Sequence, residues 1–347
     1  MSFVELTERE RRVLEAVIRC YVETAEPAGS RALSRRFGLG VSPATIRNTM
    51  SDLEEKGFLF HPHTSAGRVP TDKAYRVFVD SLAVGPLTVQ ERERLSEEIT
   101  SAGTAIDTIL RRAAQSLGVL TQELGVAIGP RFDQTVLQRL ELVRLSSERL
   151  LLVLTMTGGA VRTIFVEVRG ELSEAALAEV TVVLNERLAG LTLRDIRSSL
   201  STRLRGTSGA SEGAAELLNI FVQEGEAIFE VPVGLDDANV VLGQASHLAG
   251  QPEFATGESM RRLMQLTETR QHLAQLLRQR GASPGITITI GNEHADPRLE
   301  NFTVVTAEYH AGALSGVIGV IGPTRMPYEK VISLVSHTSR LVTDLLD

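Results

Sequence analysis

The chain of 347 residues has no tryptophan, a single cysteine and only 4% aromatic residues. Cys20 alone cannot close an internal disulfide, and its place among apolar helical residues points to burial in a reducing compartment. Continuous apolar stretches are short, as at residues 150–154, far below the roughly 20 residues that cross a bilayer. No cationic leader with an apolar run opens the chain, so the cytoplasm is the expected location and no membrane partner is expected. Catalytic signatures are missing too: no GxSxG elbow occurs, and Gly38 and Gly40 follow no strand and lack the GxGxxG spacing. His61 and His63 flank Pro62, but with one distant cysteine and no nearby carboxylate pair they make a poor tetrahedral site. An enzyme, a metal and a cofactor are therefore all expected to be absent.

What is present is an ordinary globular composition, 43% hydrophobic with 36 basic and 43 acidic residues, long enough for two or three domains. The net charge of −7 is unevenly placed. Residues 1–80 carry a net of +1 and the remainder −8, while residues 27–76 hold 8 basic against 4 acidic side chains. Such a local excess is what phosphate contact needs. It is modest, which favours two copies on one duplex over one.

The basic region has a legible internal order. Thr7 and Glu10 form a capping box ahead of a first helix whose Leu14, Val17, Ile18 and Tyr21 recur at helical spacing. A short second helix turns Leu33 and Phe37 inward and leaves Arg31, Arg35 and Arg36 outside, where phosphate contacts would fix it across a DNA backbone. Ser42 caps a third helix beginning at Pro43, because a serine oxygen takes an orphan amide proton and proline loses nothing in a first turn. Ile46, Met50 and Leu53 are its inward stripe, and Thr45, Asn48 and Asp52 share the opposite side with Arg47 and Ser51 beside them. Asn48 suits adenine, the Thr45 methyl suits a thymine methyl, and Arg47 suits guanine or a phosphate. Gly57 ends this helix, and a hairpin follows with Arg68 beside Gly67 near its tip, where His63 either shapes the turn or meets phosphate. Thr71 caps a closing helix with Tyr75, Phe78, Val79 and Leu82 inward. The pattern predicts a winged helix-turn-helix over residues 1–82.

Beyond the interruption at residues 83–87, Thr88 and Glu91 form a second capping box. A longer helix with Ile106, Leu110, Ala113, Leu117, Leu120 and Leu124 could bury its seam within its own domain or against a second subunit. From Val136 the period changes to that of strands, with turns expected at Ser146–Ser147 and Gly158–Gly159, then a helix over about 173–188. Residues 193–258 differ in character and read as an insertion, with Gly and Ser clustered at 206–213, a helix around 214–223 and short strands in AIFEVPV and NVVLG. A long helix over about 259–280, strands at 286–290, 302–309 and 315–321, and a final helix over 328–346 complete an antiparallel sheet covered by helices.

Three stretches, LTERERRVLEAVIRCYVETAEPAGSRALSRR, GVSPATIRNTMSDLEEKGFL and HPHTSAGRVPTDKAYRVFVD, resemble the HrcA family of heat-inducible repressors of bacterial chaperone genes, as does GPTRMPYEKVISLVSHTSRLVTDLL near the C-terminus. The resemblance covers essentially the whole chain and is weakest over 195–255. It implies a multidomain α+β protein: a winged helix-turn-helix at 1–82, a GAF-like central domain formed by 88–192 and 259–347, and an inserted dimerisation domain at 193–258. It further implies a homodimer that binds double-stranded DNA at an inverted-repeat operator of chaperonin and Hsp70 operons, kept active by the chaperonin. Its DNA-binding residues would be Arg31, Arg35, Arg36, Ser42, Thr45, Arg47, Asn48, His63 and Arg68. Two other readings stay open at this point, a regulator whose central domain binds a small effector, and a chaperonin client or adaptor with only weak DNA affinity.

Overall fold

A computed structural model describes residues 6–63, 66–101, 106–129, 135–157, 161–168, 172–205, 211–229, 240–268, 270–278, 285–312 and 314–346. The head begins with α1 (Glu8–Thr24), whose Thr7–Glu10 capping box is formed as expected and whose Val13, Leu14, Val17 and Ile18 are buried. Burying each such side chain contributes about 1.5–3 kcal/mol. Helix α2 (Ser30–Arg36) and α3 (Pro43–Glu55) follow, the latter capped by the Ser42 hydroxyl and buried through Ile46, Thr49, Met50 and Leu53. Strands β1 (Leu59–Phe60) and β2 (Val69–Pro70) pair antiparallel, and α4 (Asp72–Asp80), capped by Thr71, closes the head.

The body is built on a five-stranded antiparallel sheet in the order β7-β3-β10-β9-β8, from β3 (Leu124–Ile128), β7 (Val240–Leu242), β8 (Ile286–Ile290), β9 (Phe302–Ala311) and β10 (Leu314–Pro323). Alternation along the strands divides it between two cores. Leu124, Val126, Ile128, Phe302, Val304 and Ile321 face α10 (Gly257–Glu268) and α11 (Arg270–Arg278). Ala127, Val305, Ala307, Tyr309, Ile318 and Val320 face α6 (Ile106–Thr121) and α12 (Tyr328–Leu346), with α5 (Val89–Thr100) packed on α6. Leu110, Ala113 and Leu117 of α6 are therefore buried in this chain, and their seam is closed to a second subunit. The helix expected over 259–280 is helical at 257–268 and at 270–278, and residue 269 lies outside the described residues.

A second sheet, β4-β5-β6, consists of β4 (Leu137–Arg144), β5 (Arg149–Met156) and β6 (Val161–Glu167), and it packs on α7 (Glu174–Leu188), α8 (Leu193–Leu204) and α9 (Glu212–Ile228). These elements share one core, including Leu152, Leu154, Val180, Ile196 and Phe221, separate from the cores of the body. The module thus spans residues 135–229, which differs from the boundaries at 193 and 258. A cut at 193 would part α7 from α8, and residues 240–258 belong to the body, where β7 pairs with β3 and Phe254 stacks on Phe302 at 5.8 Å. The chain leaves the body after β3 and re-enters at β7, and Ile128 lies opposite Val240, so the two ends of the excursion meet on neighbouring strands. The expected turn at Gly158–Gly159 lies outside the described residues, as do residues 206–210; Ala227 and Ile228 of AIFEVPV, expected in a strand, are the last residues of helix α9, Phe229 follows them, and 230–233 are again outside.

One acid is buried without a cation in contact. Glu123 is 2% exposed, its carboxylate accepts a hydrogen bond from Gln251 Nε2 at 3.2 Å, and burial pushes its pKa well above the ordinary 4.5. Below about pH 4 the group is protonated in both folded and unfolded chains. As pH rises through the unfolded value the unfolded chain ionises first, so stability falls from there up to the folded pKa. Glu123→Gln is expected to raise the melting temperature near neutral pH, with the gain vanishing at about pH 4; thermal melts across that range check it.

Candidate nucleic-acid interface

Helix α3 carries an exposed polar surface that includes Arg47, Asn48, Asp52 and Glu55. Ser42 Oγ accepts the Thr45 amide at 3.1 Å and lies 2.9 Å from Thr45 Oγ1, so both side chains are engaged in capping and Thr45 is only half exposed. One turn further, Arg47 and Asn48 are exposed and make no hydrogen bond or ion pair among the described residues. Arg31 and Arg35 on α2 are likewise exposed and unpartnered. A positively charged strip over two adjacent helices results, although Asp52 and Glu55 sit further along α3.

The remaining cations are differently placed. Arg36 is ion-paired with Glu23 at the end of α1 and lies over the Phe37 ring at 5.8 Å, so it braces α2 against α1. Arg68, expected near a free hairpin tip, is 12% exposed, with Nη2 2.7 Å from Glu54 Oε2 and its backbone bridged to Ala28 in both directions. Gly67 is required for close packing there, since a Cβ would fall 2.4 Å from the Ala28 carbonyl oxygen. It draws the hairpin onto the α1–α2 connection and leaves little room for approach to another molecule. His63 is exposed and its carbonyl accepts the Ala66 amide at 2.9 Å; Thr64 and Ser65 lie outside the described residues.

Glu54, not among the residues singled out in sequence, holds both ends of the hairpin: His61 Nδ1 lies 2.8 Å from its Oε1, opposite Arg68 on Oε2. The signal was an acid on α3 followed by three basic-type residues in the hairpin, but their approach depends on the turn between. Lys56 Nζ meets Glu10 Oε1 at 2.7 Å, and that bond is the chief reason the Glu10 pKa is lowered. Lys73 donates to the Lys56 carbonyl at 2.9 Å over the Phe58 ring, so three of the eight cations between residues 27 and 76 remain free to meet phosphate.

The head is locked to the body. Arg76 donates to both oxygens of Glu293, at 2.6 and 2.5 Å, and to the Ile288 carbonyl at 2.8 Å. Asp72 accepts from the Asn292 amide and side chain, both at 2.9 Å. Arg325 donates to the Val22 carbonyl at 2.8 Å while paired with Glu253. Tyr75 and Tyr328 pack with ring centroids 5.7 Å apart inside one continuous core, and burial raises the pKa of each. Among the described residues no helix is long and apolar enough to cross a membrane.

Residues 107–332 match the family described as "HrcA protein C terminal domain". The chain is 39% identical over 352 residues to the heat-inducible transcription repressor HrcA of Chlorobium chlorochromatii, covering 100% of this chain and 99% of the relative. To the protein of that name from Geobacter sulfurreducens it is 38% identical over 345 residues, covering 99% of each. A crystal structure described as that of a hypothetical protein covers 99% of each chain with a TM-score of 0.60 at 21% identity, which is a likeness of fold. A multidomain α+β chain with full-length relatives of this kind falls in the class of transcription repressors. It belongs to the HrcA family.

Proposed function

We propose that the head is a winged helix-turn-helix that binds duplex DNA, with α3 in the major groove, α2 across the backbone and the β1–β2 hairpin as the wing. The observation that carries this is the pair Arg47 and Asn48, exposed and unpartnered on the first half of a helix whose start Ser42 caps, with Arg31 and Arg35 exposed alongside. Asn48 reads adenine, Arg47 reads guanine or holds phosphate, and the Thr45 methyl meets a thymine methyl. Arg31, Arg35 and His63 contact phosphate. Ser42 shapes the helix start, and Arg36 and Arg68 act by holding α2 and the wing in position.

The body is read as a GAF-like domain and the module at 135–229 as the dimerisation domain. Supporting this, the outer face of β4-β5-β6 leaves Val143, Leu145, Val161 and Phe165 between 44% and 61% exposed. A homodimer would place two heads on an inverted-repeat operator, and two half-site contacts compensate for the small number of free cations in each head. The chain is then a cytoplasmic, non-enzymatic repressor of chaperonin and Hsp70 operons with no cofactor or metal, whose active form the chaperonin supports. Purified chaperonin should raise the DNA-binding fraction of refolding repressor.

The test is titration of the protein into a fluorescent duplex bearing the inverted repeat upstream of its host's chaperonin genes, beside a scrambled duplex, across a salt series. Preference for the repeat with two protomers bound is the expected result. Asn48→Ala and Arg47→Ala should each cost about 1–3 kcal/mol and relax preference at one base position. Equal, steeply salt-dependent binding to both duplexes would refute the reading.

A further inference from the structure

Residues 84–87, which carry the chain from the head to the body, border a cavity of about 550 Å³. Its other walls come from α5 through Arg92, from β8 through Ile286, and from α12 through Ile332, Ser333, Ser336, His337 and Arg340. No acidic side chain lines it, although residues 81–347 carry a net charge of −8. Two guanidinium groups and an imidazole gathered on one side of an acidic body call for a counter-ion.

No carboxylate pairs with either guanidinium among the described residues. Arg92 is exposed and makes no ion pair among the described residues, and its neighbour Glu91 is directed to Lys330 at 3.7 Å and to the Thr88 amide and hydroxyl. Arg340 donates along its own helix to the carbonyl and hydroxyl of Ser336, at 3.3 and 3.4 Å, contacts that orient the group without neutralising it. His337 is partly buried, and its pKa is lowered first by burial and then by the positive charges of Arg340 and Arg92, with Asp344 opposing. Ser333 donates to the Gly85 carbonyl at 2.8 Å and so ties the linker to α12 at the cavity edge. Val84, Leu87, Ile286 and Ile332 add apolar wall beside the cations. This combination, an apolar shelf beside a few convergent polar groups, is that of a small-molecule site of ordinary size.

We propose that this cavity binds a small phosphate-bearing molecule, its phosphate held by Arg92 and Arg340 and its organic part resting on the apolar wall. Guanidinium forks match phosphate oxygens, and a dianion supplies the charge that the lining lacks. The site lies away from α2 and α3 and its occupancy does not depend on operator recognition. Because Gly85 is tied to α12 at its edge, a bound molecule also braces the linker.

Isothermal titration of the full chain with AMP and, separately, with inorganic phosphate tests this. Saturable binding of AMP with a Kd of about 1 mM or tighter is expected, weakened at least about tenfold in Arg92→Ala/Arg340→Ala. Binding of inorganic phosphate at the same site would show that free phosphate suffices; binding of AMP alone would show that the apolar wall contributes. In the unsubstituted protein the His337 Cε1 nuclear magnetic resonance should move on titration, and its pKa should rise on saturation, since a nearby dianion favours the imidazolium. That measurement stands even if the double variant fails to fold. No saturable binding of either probe, or binding that leaves the His337 resonance unmoved, would overturn the proposal. Unchanged affinity in a folded double variant would overturn it equally.

Discussion

Phe165→Asp is expected to turn the proposed homodimer into a monomer and to weaken the proposed operator binding by roughly a hundredfold or more. Phe165 stands 59% exposed on the central rows of the outer β4-β5-β6 face. Register places Leu151 opposite both Val143 and Phe165, so three apolar side chains form one row across the sheet, and Val153 and Val161 continue it on the next rows. Arg149 lies over the Phe165 ring at 5.2 Å. An apolar row of this kind on a face turned away from its own core is suited to a second copy, and a carboxylate in its centre would have to be desolvated if the face were covered, a cost that the neighbouring Arg149 offsets only in part. The opposite face of the same strands carries the module core, so the substitution should alter folding by no more than about 0.5 kcal/mol. Sedimentation or size-exclusion measurements with thermal melts separate the outcomes. A variant that stays dimeric would remove this face from the dimer interface. A folded monomer with full operator affinity would show that dimerisation is not what strengthens DNA binding.

Gly125→Ala should destabilise the body by about 3 kcal/mol or more, the largest effect expected of a single methyl group in this protein. Gly125 is in β3 where α6 crosses, and a Cβ would fall 1.8 Å from the Ala114 carbonyl oxygen and 3.0 Å from the Gly118 nitrogen. Both obstacles are backbone, so relief requires α6 to move as a unit. It cannot move freely, because Leu110, Ala113 and Leu117 are packed on the sheet, and β3 is held between β10 and β7. Gly213→Ala is the control. There a Cβ would meet the Ala176 Cβ at 3.5 Å, an ordinary contact, and alanine is the better helix former, so that variant should be neutral or slightly stabilised. Denaturant melts of the two variants beside the parent chain give the comparison.

The head was readable from its sequence because its instructions are local. Capping depends on a side chain and an amide three residues on, and the box at Thr7–Glu10 and the caps at Ser42 and Thr71 are formed where the pattern places them, as is the box at Thr88–Glu91 in the body. Gly57 ends α3 with φ at +76°, and Ile46, Met50 and Leu53 face inward. Of the residues singled out for DNA, Arg31, Arg35, Arg47 and Asn48 stand free on the surface, whereas Arg36 and Arg68 are held by Glu23 and Glu54. Nothing in a run of arginines distinguishes one facing a solvent-filled groove from one facing a carboxylate 13 or 14 residues away.

Composition and periodicity by themselves determined the helix starts, the inward stripes, the strand-like segments and the basic head, since each is set by side chains within a turn or two of one another. Tertiary structure alone decided the rest. A strand's alternation shows that one face is buried and is silent on which sheet it joins, so the division of the ten strands among the described residues between hairpin, body and module, and the closure of the 135–229 excursion on the β3–β7 pair, depended on pairings across more than a hundred residues. The same holds for Arg76 on Glu293, for Arg325 on the Val22 carbonyl, and for the cluster of Arg92, His337 and Arg340. Each joins groups whose proximity exists only after the chain has folded.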